Sequence, residues 1–148
     1  MQEAITFTAL AQHLGIPSRS LRDLADRIGL LRWLDRTPQY ARGRQRRRAY
    51  LLGEHAAEVL ALWIHLRRNL GASPRSADSV ALAHLSGQLN PDSCLAHFTK
   101  PPRWELVHRP PSRFRWEEAQ DRVTAVIALG EALRSARAHL DSISEKAA

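Results

Sequence analysis

The four residues Gly15-Ile16-Pro17-Ser18 constrain this chain more than any others. They join two short stretches of helical periodicity, and so tight a connection forces the two helices to pack on each other. In "TFTALAQHLG", Ala9, Leu10 and Leu14 fall at helical spacing. Thr8 is placed to cap that helix, and Gly15 stands where a C-terminal glycine belongs. In "IPSRSLRDLADRIG", Ser18 is the expected N-cap, Leu21, Leu24, Ala25 and Ile28 share an apolar face, and Gly29 ends the helix. Two helices joined through a short glycine-containing turn form a helix-turn-helix pattern, which many helical hairpins also show.

The next segment, "LLRWLDRTPQYARGRQRRRAYLL", has no helical period. Pro38 breaks any helix and Gly43 permits a turn. Leu31, Trp33, Ala49 and Leu51 then read as the inward residues of two short strands, a β-hairpin wing with a basic tip. "GEHAAEVLALWIHLRRNLG" predicts a helix whose stripe is Ala56, Val59, Leu60, Trp63, Leu66 and Leu70, stopped by Gly71. Ser73 and Pro74 open another, and Asn90 and Pro91 do the same for a short helix over "NPDSCLAHF". Pro101, Pro102, Pro110 and Pro111 bracket "RWELVH", which reads as extended. From Trp116 to about Ser144 the pattern predicts one long helix. Ala119, Val126, Leu129, Leu133, Ala136, Leu140 and Ile143 recur along it at the steps of a coiled-coil seam, and Gly130 weakens it.

The expected fold is therefore mainly α. A winged helix-turn-helix domain fills residues 1–72. A helical C-terminal region, 73–148, carries a coiled-coil-like dimerisation helix over 115–145. In that reading Val126, Leu129, Leu133, Leu140 and Ile143 pair two subunits into a homodimer.

Charge points to the partner. The chain's 148 residues carry a net charge of +7, with a pI near 10.9, on a hydrophobic fraction of 44%. That fraction supports a packed core, and the charge favours a polyanion. Residues 1–70 hold 12 Lys+Arg against 6 Asp+Glu, whereas residues 71–148 hold 10 against 9, so the basic character belongs to the first half. Arg42, Arg44, Arg46, Arg47 and Arg48 stand within "RGRQRRRAY", which Tyr50 closes. Arginine's planar fork bonds two phosphate or guanine acceptors at once. The single cysteine, Cys94, rules out an internal disulfide framework and suits a reducing cytoplasm. Glu3 comes early with no apolar leader region after it, and "VLALWI" and "AVIAL" are too short to span a bilayer. The expected location is the cytoplasm, at the nucleoid.

These motifs, in this order, resemble MerR-type winged helix-turn-helix regulators. "IPSRSLRDL" is similar to the start of that family's recognition helix, with Ser18, Ser20, Leu21 and Arg22 at its pattern positions. "IGLL", "RRAY" and "HLRRNLGAS" resemble its helix exit, the end of its wing and the stretch before its next helix. The resemblance covers about residues 5–86. Asp23 and Leu24 replace the usual aromatics, the Leu31–Tyr50 segment is longer than the usual wing, and residues 87–114 match nothing in the pattern. The resemblance implies a dimeric protein that binds double-stranded DNA and regulates transcription. Excisionases and packaging proteins of mobile elements share the same unit, so an architectural role stays open. So does an adaptor whose basic segment binds an acidic protein.

On the recognition helix the outward residues are Arg19, Arg22, Asp23, Asp26 and Arg27. The residues expected to meet DNA are Arg19, Ser20, Arg22 and Arg27, with the arginines of the run and Tyr50. Arginine in the groove reads guanine, and arginine on the wing holds phosphate. Cys94 and His97 have Cys-x-x-His spacing, but one cysteine without a second pair reads as buried structure, and no metal is expected. Phe98, Trp104, Phe114 and Trp116 read as packing aromatics ahead of the alternative, the lining of a small-molecule pocket, so a small-molecule effector stays open but unsupported. The histidines fall in no catalytic spacing and no glycine-rich phosphate loop is present, so neither an enzyme nor a cofactor is expected.

Overall fold

The computed structural model describes residues 5–35, 51–99, 101–108 and 123–147, with backbone only at 35 and 143–147. In chain order the elements are β1 (Ile5–Thr6), α1 (Phe7–Leu14), α2 (Ser18–Arg27), α3 (Leu30–Asp35) and β2 (Leu51–Leu52). There follow α4 (Glu54–Arg68), α5 (Pro74–Leu85), β3 (Cys94–Thr99), β4 (Pro102–Val107), β5 (Val123–Ala128) and α6 (Leu129–Ala147).

The helical pair forms where the Gly-Ile-Pro-Ser connection puts it. Leu10 and Leu14 of α1 and Leu21, Leu24 and Ala25 of α2 are all buried in one core. The caps differ from the expected ones. Thr6, not Thr8, caps α1: its Oγ1 accepts from the Ala9 amide at 3.1 Å. Pro17, not Ser18, holds the N-cap position of α2, and makes no side-chain bond there. Gly15 closes α1 in the left-handed region at φ +69°. Its carbonyl, and that of Leu14, accept from the Arg68 guanidinium, so a cation of α4 holds the negative end of α1.

The expected winged domain with a terminal coiled coil is not the observed fold, and it fails at two places. The first is the hairpin. Leu30–Asp35 is a helix, because Leu30 and Leu34, four residues apart, both point into the core, while Leu31 and Trp33 are only half-buried. Leu51–Leu52 does not pair back on that segment. It pairs antiparallel with the N-terminal strand, Ile5 opposite Leu52 and Thr6 opposite Leu51. Leu52 is the inward residue and Leu51 is exposed. Residues 36–50, including Arg42, Arg44, Arg46, Arg47, Arg48, Ala49 and Tyr50, lie outside the described residues.

The second place is the C-terminal half. Cys94–Thr99, expected as a helix, is the central strand of a three-stranded antiparallel sheet ordered β4-β3-β5. "VTAVIA" joins that sheet in place of the long helix, since its β-branched residues pack well on a pleated surface. Val126 is thereby a strand residue opposite Ala96, and the final helix begins only at Leu129. Leu129, Leu133, Ala136 and Leu140 do form a seam, but α4 of the same chain lies along it and buries it. No second subunit is needed to cover these residues. The side chain of Ile143 is outside the described ones, as are residues 109–122 with Phe114, Trp116 and Ala119.

The centre of the molecule is α4, packed between α5 and α6 and touching α1. Ala56, Ala57, Glu58, Val59, Leu60, Ala61, Leu62, Ile64 and Leu66 are all buried, so the helix is covered on nearly every side. That is wider than the single stripe the periodicity suggests, and an apolar surface all round is what a fully interior helix carries. Each leucine so enclosed stabilises the fold by about 1.5–3 kcal/mol. The same enclosure takes a carboxylate, Glu58, into the interior.

Candidate functional site

Two constellations carry chemistry. The first is the outer face of α2. Its buried row leaves Arg19, Ser20, Arg22, Asp23, Asp26 and Arg27 exposed. Arg19, Ser20 and Arg22 sit in the first half of the helix, the end nearest the turn. Arg27 is committed elsewhere. Its guanidinium meets Asp78 at 2.9 Å and lies 5.5 Å above the centre of the Trp63 ring, and Asp78 also accepts from the Trp63 indole at 2.7 Å. Arg27 therefore ties α2 to α4 and α5. Beside it, a groove of about 530 Å³ runs between α2 and α4, lined by Pro17, Ser20, Asp23, Trp63, Arg67 and Arg68 among others. Arg67 is held by the Ala72 carbonyl at 2.6 Å and Arg68 caps α1, so both also serve the fold. Arg19 and Arg22 are exposed cations in the first half of α2, near the turn.

The second constellation was not legible as a site in the sequence. His55 and Glu58 lie three residues apart on one face of α4, and His84 comes from the last turn of α5. Glu58 is 6% exposed and His84 8%. Glu58 divides its oxygens: Oε2 faces His84 Nε2 at 3.1 Å, and Oε1 takes the Arg137 guanidinium from α6. The His55 ring lies 4.9 Å from that of His84, edge on, and 5.8 Å from the half-buried Trp33 of α3. His55 Nε2 is 3.2 Å from the Leu85 carbonyl and donates to it. Burial holds His84 below the usual imidazole range, outweighing the upward pull of Glu58, and His55 and Arg137 push the same way as burial. Burial thus favours the neutral imidazole, whose Nε2–H donates to the carboxylate. The sequence signal is the charge within "HAAEVLALW": a glutamate inside an apolar run on an interior helix needs partners, and a histidine stands one turn before it.

No protein-family model, curated protein or solved structure matches this chain.

The Cys94–His97 spacing is not a ligand pair, because on a strand residues three apart point to opposite faces. Cys94 is fully buried in a small cluster with Ala96 and Val123, while His97 meets Thr124 at 2.7 Å and its ring lies 5.0 Å from that of Trp104, tilted by 59°. Of the aromatics expected to pack together, Phe98 lies under the Arg103 guanidinium at 4.7 Å, and Trp104 is half-buried against the core. Among the described residues no helix is long and apolar enough to cross a membrane.

Proposed function

We propose that the chain binds double-stranded DNA, reading it with the outer face of α2 and holding it with the arginine run at 42–48. One observation carries this reading. The α1–α2 pair buries its mutual apolar face completely and turns Arg19, Ser20 and Arg22 outward on the half of α2 next to the connection. In helix-turn-helix proteins the N-terminal residues of the second helix contact base edges, while the first helix crosses the backbone. Arg22 is the preferred base reader, since a guanidinium matches the two major-groove acceptors of guanine. Arg19 and the run supply phosphate contacts, which position the protein without reading sequence. The motif "IPSRSLRDL", through which the chain resembles MerR-type regulators, supports the same role for α2. A cytoplasmic, nucleoid-associated regulator of transcription is the biological form of this proposal.

The test is selection of bound duplexes from a random pool, with wild type and Arg22→Ala in parallel. The wild type should enrich one short motif. Arg22→Ala should flatten that motif at one position, losing about 1–3 kcal/mol of discrimination there, while keeping most non-specific affinity. Equal loss of specific and non-specific binding would make Arg22 a phosphate contact. Absence of any enriched duplex, with an acidic protein bound instead, would replace the reading with the adaptor.

A further inference from the structure

We propose that His55, Glu58 and His84 form a binding site for one divalent transition-metal ion of the zinc class, clamping α4 to α5. The inference does not rest on DNA binding. The donor atoms of the three side chains all lie within 4.8 Å of one another. Tetrahedral zinc with nitrogen and oxygen donors at 2.0–2.2 Å sets its ligands about 3.3 Å apart. Glu58 Oε2 and His84 Nε2 are already 3.1 Å apart. His55, the half-buried member, completes the set within that 4.8 Å.

The donor chemistry is specific. Two imidazoles and one carboxylate suit zinc and its neighbours, whereas calcium and magnesium take oxygen. Three protein ligands leave one coordination position, which water fills. The surroundings resemble an outer shell. The Leu85 carbonyl receives His55 Nε2–H, which fixes the ring and leaves Nδ1 as the lone-pair nitrogen. Arg137 holds Glu58 Oε1, so the carboxylate presents Oε2 to His84 in one orientation. The ion would take the place of the proton between Oε2 and His84 Nε2, with the imidazole proton carried on Nδ1 instead. The helices it joins are neighbours in sequence, linked through residues 69–73, and the Trp33 ring of α3 lies 5.8 Å from the His55 ring at a tilt of 55°.

The experiment uses the full chain without a histidine tag, stripped with a chelator and dialysed. Zn²⁺ is titrated calorimetrically and Co²⁺ by its visible absorption. The expected result is one ion per chain, Co²⁺ bands of four- or five-coordinate intensity, and a melting temperature that rises until one equivalent is bound. His55→Gln and His84→Gln should each weaken binding by about tenfold or more. His139→Gln, in the separate histidine group with His13, should leave it unchanged. If His84→Gln fails to fold by circular dichroism, the half-buried His55→Gln carries the comparison. Absence of stoichiometric binding by the wild type, unchanged affinity in His55→Gln, or a loss confined to His139→Gln would each overturn the site and leave Glu58 as a buried carboxylate paired with the half-exposed Arg137 and hydrogen-bonded to His84.

Discussion

Leu140→Ala measures what the terminal helix is for. Leu140 is 2% exposed, and it belongs to the seam that α4 covers within the same chain. The substitution removes three carbon groups, each worth about 0.8 kcal/mol of transfer free energy. The cavity adds to this, and leucine-to-alanine changes in cores cost about 2–5 kcal/mol. Leu140 sits in the second half of α6, where the end of the helix can partly collapse into the space, so about 2.5–4 kcal/mol is expected. Urea unfolding followed by circular dichroism gives the number. Run at two protein concentrations about a hundredfold apart, the same titration separates a seam closed within the chain from one closed between chains, because only the second makes the midpoint depend on concentration. The expected midpoints coincide in both wild type and variant. A cost below about 1 kcal/mol, typical of a surface change, or a midpoint that climbs with concentration, would refute the intramolecular seam.

Other substitutions probe other joints. Gly130→Ala places a Cβ 2.7 Å from the Pro91 carbonyl oxygen, so despite alanine's better helix propensity it should destabilise by about 1–3 kcal/mol, read as a lowered thermal midpoint. Asp78→Ala removes the acceptor shared by the Trp63 indole and Arg27, and should cost about 1 kcal/mol with a change in tryptophan fluorescence. His65 is held below its ordinary value of 6.5, first by burial and then by the charge of His139, in a cleft that His13 and Arg68 also line. The unfolded chain therefore takes up a proton there more readily than the folded one. The stability tied to His65 is complete above pH 6.5 and falls as pH drops through that value towards the lower folded one. His65→Gln should make stability less dependent on pH in that window. Replacing Arg44, Arg46, Arg47 and Arg48 with alanine should weaken binding to every duplex alike and flatten its salt dependence.

How far the sequence could be read depended on where its signal was local. The α1–α2 pair, the start of α5 at Ser73 and Pro74, and the extended "RWELVH" follow from spacing and from glycine and proline, which act within a few residues. Leu30–Asp35 was misread because a two-turn helix offers too few apolar positions to show a period, and only the packing of Leu30 and Leu34 reveals it. "VTAVIALGEAL" was misread because Val126 and Leu129 fit a helical seam as well as they fit a strand followed by a helix. The pairing with β3 across a long sequence separation decides that, and periodicity carries no trace of it. The part of the seam from Leu129 to Leu140 was legible, but its partner was not: an apolar stripe says that something covers it, not what. For the same reason His84 could not be joined to His55 and Glu58 from spacing, since the α4–α5 packing brings them together.

Duplex binding by the full chain across a salt series, followed by fluorescence anisotropy, tests the DNA-contacting role of α2 directly. Binding should saturate, and its log affinity should fall linearly with log salt, with a slope of about −0.9 for each phosphate neutralised. Exchanging Arg19 and Arg22 for alanine together should shrink that slope by about 1 if only Arg19 meets phosphate, and Arg22 should take site preference with it. No saturable binding at low salt, or affinity, slope and preference all unchanged in the double variant, would contradict the assignment of α2 as the DNA-contacting face.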